Sequence, residues 1–203
     1  MAELSFGHNL RAKRKEVVTN TLSFLPWAQG CLTACGPTGG KGLEGPAEGS
    51  VKFKGAPNKM LGITLHEYGS AEMLKVQMVN LPAELQDNEL LIKVKAAGVN
   101  PMDCKLRSGS LQQLYPLTLP VILGCEWSGT VVKAGRCAKY KPGDQVFGRQ
   151  TLDRLRHTSG AYAQYMVADS AECCSKPSAL SHIQAASVPW AGLTAYGAVV
   201  RAG

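Results

Sequence analysis

No stretch of this 203-residue sequence approaches the about 20 consecutive apolar residues that a membrane-spanning helix needs, because Lys, Arg, Asp, Glu or Pro interrupts every run. A soluble chain with no membrane partner is expected. An even, regularly spaced set of cysteines is also lacking: the seven present are Cys31, Cys35, Cys104, Cys125, Cys137, Cys173 and Cys174. That number and spacing do not fit a secreted disulfide scaffold, so reduced thiols in a cell interior are expected. Aromatic residues do not interleave with basic ones, which removes the main support for a nucleic-acid partner despite a formal charge of +7. The charge is also unevenly placed. Residues 1 to 59 carry eight Lys or Arg against four Glu, a net of +4, while the remaining 144 residues carry 14 basic and 11 acidic groups. The body is close to neutral, and no nucleic-acid partner is expected.

Residues 1–59 lack sustained periodicity, and the stretch from Cys35 to Ser50 is dominated by Gly, Pro and small residues. Too little apolar surface is present to offset the entropy of ordering it, so a disordered basic extension is expected. Gly40-Lys41 is followed by Gly42 rather than Ser or Thr and no strand precedes it, which excludes a phosphate-binding loop. Arg11, Lys13, Arg14 and Lys15 beside Leu4, Phe6 and Leu10 fit a mitochondrial transit peptide weakly, and Glu3 and Glu16 count against one. The expected location is cytoplasmic, with the mitochondrion as the alternative.

From Leu61 the character changes. Leu61, Ile63 and Leu65 alternate with Thr64 and His66, the two-residue period of a half-buried strand. Leu74, Val76 and Met78, and then Ile92, Val94 and Ala96, repeat it. Asn100-Pro101-Met102-Asp103 predicts a helix start, with Asn as N-cap, Pro at the first position and an acid in the first turn; Gly109 can end that helix. Further strands are expected at Trp127–Lys133, Val146–Phe147 and Ala161–Val167, with a tight turn at Lys141-Pro142-Gly143-Asp144. Ser181-His182-Ile183-Gln184 matches a capping box, Pro189 interrupts the helix that follows, and residues 193–200 have helical apolar content. The fold class read from these elements is mainly β with short helices, a barrel or sandwich of many short strands.

Six motifs in order carry a family resemblance. They are Leu65-His66-Glu67-Tyr68-Gly69, Ala96-Ala97-Gly98-Val99-Asn100-Pro101-Met102-Asp103, Gly124-Cys125-Glu126-Trp127-Ser128-Gly129, Lys141-Pro142-Gly143-Asp144-Gln145-Val146, Gly160-Ala161-Tyr162-Ala163-Gln164-Tyr165, and Ala185-Ala186-Ser187-Val188-Pro189 with Gly192-Leu193-Thr194-Ala195-Tyr196. Together they cover about residues 60 to 203 and resemble the medium-chain dehydrogenase/reductase superfamily, in its zinc-free quinone oxidoreductase (zeta-crystallin-like) branch. The resemblance implies a GroES-like, partly open β-barrel over 60–185. It also implies a helical segment at 186–203 that would lead into a Rossmann domain holding NADPH. The strand and Gly-rich turn of such a domain are not found in the sequence, so the Rossmann domain is expected to be absent.

Zinc-dependent members of the superfamily place Cys where this chain has Asn100 and His where it has Cys125. An amide is a poor zinc ligand, and Cys104, Cys125 and Cys137 are too far apart for a compact ligand set, so no zinc is expected. Asn100 is the first candidate for catalysis and cofactor contact: its amide offers a donor and an acceptor, suited to orienting a carboxamide or polarising a carbonyl. Its other reading, a helix N-cap, can coexist with that role. Cys125 is a candidate catalytic residue if its thiol is exposed and activated, against the reading of a buried small hydrophobe. Thr194 resembles the family threonine whose hydroxyl lies against the cofactor's nicotinamide; a plain helix Thr is the alternative. Asp103 and Arg107, four apart, are expected to form a surface ion pair. Tyr115 is considered as a proton donor, and Trp190 as a residue near the inter-domain cleft, although Trp is more often core. Cys173-Cys174 are expected at a loop.

Two functions follow. One is a truncated NADPH-dependent reductase acting on a small-molecule quinone or enone, contributing the substrate-side wall and inactive alone. The alternative is a non-catalytic isoform that binds itself or a protein partner through an inter-domain face around Val188, Trp190, Leu193, Tyr196 and Val199.

Overall fold

The computed structural model describes residues 59–82, 84–155 and 160–202, with side chains up to residue 200. The expectations for the basic extension, the transit peptide and the Gly-rich stretch lie outside the described residues. The strands are β1 (Lys59–Leu65), β2 (Leu74–Asn80), β3 (Glu89–Gly98), β4 (Val121–Ile122), β5 (Glu126–Ala134), β6 (Gln145–Arg149), β7 (Tyr165–Asp169) and β8 (Cys173–Ser175). Helices are α1 (Pro101–Ser108), α2 (Leu152–Leu155), α3 (His182–Ala186) and α4 (Leu193–Ala202), with a π-helical turn at Val188–Gly192 joining the last two.

Antiparallel pairing builds a five-stranded sheet in the order β7-β3-β5-β6-β8 and a three-stranded sheet in the order β2-β1-β4. The two meet where Gly62 bridges Ala163 and the Ile63 N–H donates to the Tyr162 carbonyl at 2.8 Å. Among the described residues the strand order does not close into a barrel. The mainly β, partly open architecture with short helices is as read from the sequence. The main core gathers Leu90, Ile92, Trp127, Val131, Val146 and Met166 beneath the larger sheet. Each such side chain withdrawn from water contributes about 1.5–3 kcal/mol.

Several local expectations change. In β1 the alternation is present but Met60, Gly62 and Thr64 are buried as well as Leu65, while Leu61 is exposed with Val76 and Met78 of β2. A period of two does not say which face is buried when both carry apolar residues. A Cβ on Gly62 would lie 2.9 Å from the end of the Ile122 side chain, so a larger residue there would require that side chain to shift. The strand expected at Ala161–Val167 is displaced to Tyr165–Asp169, because Tyr162 and Ala163 are engaged with β1. Cys173 is fully buried in β8 rather than placed in a loop.

The helix signals hold. Asn100 sits at the N-cap of α1, Pro101 follows, and Gly109 ends the helix at φ 79°. Ser181 and Gln184 form the capping box that starts α3. This helix docks on the larger sheet through His182, whose Nδ1 lies 2.7 Å from the buried Ser128 hydroxyl. Burial, followed by the nearby Lys176 and Lys95, holds His182 below the ordinary imidazole pKa.

Two predictions follow from these contacts. Gly109→Ala forces a side chain into the left-handed region and against the Tyr68 ring 3.1 Å away; it should cost about 1–2 kcal/mol, read as a lower urea midpoint at unchanged m. For His182 the native state binds its proton less well than the unfolded chain. The associated stability is therefore complete above about pH 6.5 and declines as pH falls through that value toward the native pKa. Urea midpoints at about pH 7.5 and about pH 5.5 should differ more for the wild type than for His182→Gln.

Candidate functional site

The site is built where β3 ends, β5 begins and β6 ends. Gly98 pairs with Glu126, and Glu126 pairs with Arg149, so the three stand in one row across adjacent strands. A Cβ on Gly98 would lie 2.2 Å from Glu126 Oε1. The missing side chain lets the Glu126 carboxylate lie across β3 toward the loop that carries Asn100. Residues 121–129 are all buried, and Glu126 is the one charged side chain among them, 2% exposed. A charge in such a place must be hydrogen-bonded.

Both carboxylate oxygens of Glu126 are engaged. Oε1 accepts from Asn100 Nδ2 at 2.8 Å and Oε2 accepts from the Trp190 backbone N–H at 2.7 Å. The Trp190 carbonyl in turn accepts from the Thr194 hydroxyl at 2.8 Å. Asn100 and Thr194, separate candidates in the sequence, thus lie on one hydrogen-bonded line through Glu126 and Trp190. Asn100 is 7% exposed, and its second Nδ2 hydrogen has no partner among the described residues. Thr194 is exposed on α4. Its hydroxyl proton is committed to Trp190, so toward a ligand the oxygen can only accept.

Asp103 completes the N-cap, its carboxylate accepting from the Asn100 backbone N–H at 2.9 Å. Burial pushes its pKa up, against hydrogen bonds from Asn100, Tyr162 and Gly124. The expected surface pair with Arg107 is not formed: Asp103 faces inward, and Arg107 Nε donates to the Gly69 carbonyl at 3.3 Å. Tyr162, whose hydroxyl lies 3.3 Å from the Gly98 carbonyl, is raised by burial and by Asp103.

Cys125 is buried among Leu65, Leu106, Leu123 and Leu155. Burial first, then Asp103, drives its thiol pKa far upward, and Arg149 only partly opposes this. The sulfur is therefore a neutral thiol packed as a small hydrophobe. Arg149 stacks over the Trp190 ring, 5.5 Å from its centroid. Burial lowers its pKa, and no ion pair of its own is formed among the described residues. Trp190 is half-buried and touches the Cys125 cluster, as does Tyr115.

Sequence reasoning quoted Glu126 only inside a motif and did not single out Arg149. The available signal was a carboxylate flanked by Cys125 and Trp127 in an otherwise apolar run, opposite a glycine strand end. Among the described residues no group of three or more His, Cys, Asp or Glu side chains is arranged to hold a metal ion. None of the described helices is long and apolar enough to cross a membrane.

The alcohol dehydrogenase GroES-like domain family matches residues 86–178, which include Gly98, Asn100, Cys125, Glu126 and Arg149. The chain belongs to the medium-chain dehydrogenase/reductase superfamily. Within it the resemblance is to quinone oxidoreductases and their relatives. The chain is 35% identical over 144 residues to the mitochondrial NAD(P)H oxidoreductase RTN4IP1 of Dictyostelium discoideum, covering 69% of this chain and 40% of that protein. It is 33% identical over 151 residues to the 2-methylene-furan-3-one reductase of Solanum lycopersicum, covering 72% and 38%. The Escherichia coli quinone oxidoreductase complexed with NADPH superimposes with a TM-score of 0.59 at 34% identity, covering 70% of this chain and 40% of that one. This superfamily chain thus spans about two fifths of the length of the relatives it matches.

Gly98→Ala should displace the Glu126 carboxylate and orphan its donors. Overpacking alone costs about 1–3 kcal/mol, checked by urea denaturation, and amide exchange at Trp190 should accelerate with it.

Proposed function

We propose that this chain supplies the substrate-side wall of an NADPH-dependent quinone or enone reductase, with Asn100 and Thr194 facing the reacting groups and no zinc involved. The observation that carries the reading is the line from Asn100 through Glu126 and Trp190 to Thr194, on a GroES-like fold shared with a quinone oxidoreductase solved with NADPH. When bound, a reduced nicotinamide dinucleotide supplies hydride. The chain's own groups then have two tasks. The uncommitted N–H of Asn100 donates to a carbonyl oxygen as negative charge develops on it, from a site already oriented and screened from water. The acceptor-only hydroxyl of Thr194 takes an N–H from a carboxamide. Those two groups fit the nicotinamide end of the cofactor. A strand and Gly-rich turn that would hold its pyrophosphate are not found among the described residues.

The chemistry of the donor set also supports the zinc-free reading. Asn100 presents an amide already hydrogen-bonded to a carboxylate, and Cys125 holds a neutral thiol; neither is a competent zinc ligand as placed. In this reading Cys125 shapes the wall, and a catalytic thiol would require the sulfur to become exposed. The domain proposed spans 60–185, with 186–203 as the segment that meets a dinucleotide-binding half. The RTN4IP1 relatives are named as mitochondrial, which favours the mitochondrial alternative over a cytoplasmic location.

A second reading rests on the exposed apolar side chains of α4, with Val199 73% and Tyr196 41% exposed. In that reading the face binds a protein partner or a second copy of the chain without hydride transfer.

NADPH fluorescence titration of the purified chain, with a quinone-reduction assay beside it, separates the two. The first reading predicts negligible turnover by this chain alone and a monomer in solution. Turnover with tight NADPH binding would contradict the dependence on a second half. Oligomers that Val199→Lys disperses would favour the second reading.

A further inference from the structure

We infer that Glu126 is a positioning residue that sets which way the Asn100 amide faces and locks it to the Trp190 turn, so that Asn100 and Thr194 move as one unit. The inference rests on the proposed ligand-facing role of those two residues only for its significance; the geometry stands without it. A carboxylate offers acceptors and no donor. With Oε1 2.8 Å from the Asn100 amide, the nitrogen must face Glu126, since the reversed amide would set two acceptors against each other. The Asn100 oxygen is thereby placed on the side of the α1 N-terminus, where the capping box with Asp103 forms.

The second carboxylate oxygen fixes a different element. Pro189 contributes no N–H, and the Trp190 N–H, in the first turn of its helical segment, has no carbonyl a turn earlier to meet it. Glu126 Oε2 takes that donor at 2.7 Å. The same residue's carbonyl accepts from the Thr194 hydroxyl, so a shift of the carboxylate reaches α4 through one residue. Gly98 keeps the path open, because any Cβ there would collide with Oε1 at 2.2 Å.

Two donors converge on Glu126, so two acceptors are required, and this makes glutamine a decisive substitute. Glu126→Gln has nearly the same shape but one acceptor and one amide donor. The Trp190 backbone N–H cannot become an acceptor and keeps the oxygen. Asn100 is left facing an NH2 group and must turn its amide over.

The test is nuclear magnetic resonance on the whole chain, isotopically labelled and without ligand. In the wild type, trans-hydrogen-bond scalar couplings should connect the Glu126 side-chain carboxylate carbon to both Asn100 Nδ2 and the Trp190 backbone nitrogen. In Glu126→Gln the Asn100 side-chain amide resonances should move and exchange with solvent about tenfold faster, while the Trp190 N–H stays in place. Unmoved Asn100 resonances in a folded Gln variant would overturn the inference. Should that variant not fold, absence of the Asn100 coupling in the wild type overturns it equally, and its presence supports it. None of these readouts involves cofactor or turnover, so failure here is separable from failure of the reductase reading.

Discussion

A carboxylate shielded from water is costly to bury unless hydrogen-bond donors meet it. Glu126 meets that condition with donors from two distant parts of the chain, an amide at the end of β3 and a backbone N–H in the turn before α4. Much of the local architecture follows. Position 98 must be glycine, the loop after β3 must bring a donor within reach, and the turn around Pro189 must present the Trp190 N–H inward. The same two bonds join the core of the domain to the helical segment at its C-terminal side.

The electrostatics around this carboxylate are those of a preset polar wall. Asp103 is disfavoured as an anion by burial, with Glu126 adding to the effect. Cys125 keeps its proton, and Arg149 is set against an aromatic face. Asn100 keeps a second N–H without a partner among the described residues, and Thr194 keeps the lone pairs of its hydroxyl oxygen. Neutral hydrogen-bonding groups held rigidly suit a reaction in which charge develops on a carbonyl oxygen during transfer. Among the proteins the chain resembles are a 2-methylene-furan-3-one reductase and a quinone oxidoreductase.

Much of the fold was legible because its signals are local. The Asn-Pro-x-Asp start of α1, the Gly109 stop, the Ser181–Gln184 box and the Pro-Gly turn before β6 all depend on a few neighbouring residues. What was not legible depends on partners distant in sequence. Gly62 in β1 is packed against Ile122, 60 positions away, and no periodicity carries that information. The helix spacing of Asp103 and Arg107 suggested a surface pair, yet Asp103 is buried and accepts from the Asn100 backbone N–H at the start of α1. Asn100 and Thr194 were singled out as candidates by the family resemblance. Their connection was not, because it runs through a side chain and a backbone group that motif reading treats as filler.

In the proposed function, residues 60–200 form a substrate-side wall that works once joined to a dinucleotide-binding half. The direct measurement is NADPH-dependent quinone reduction by a chimera in which these residues replace the matching segment of the Escherichia coli quinone oxidoreductase. Turnover by the folded chimera is expected, cut by about 100-fold or more in Asn100→Ala, the scale of losing one preorganised donor. A folded chimera that binds NADPH yet reduces no quinone, or whose turnover ignores Asn100→Ala, would contradict it.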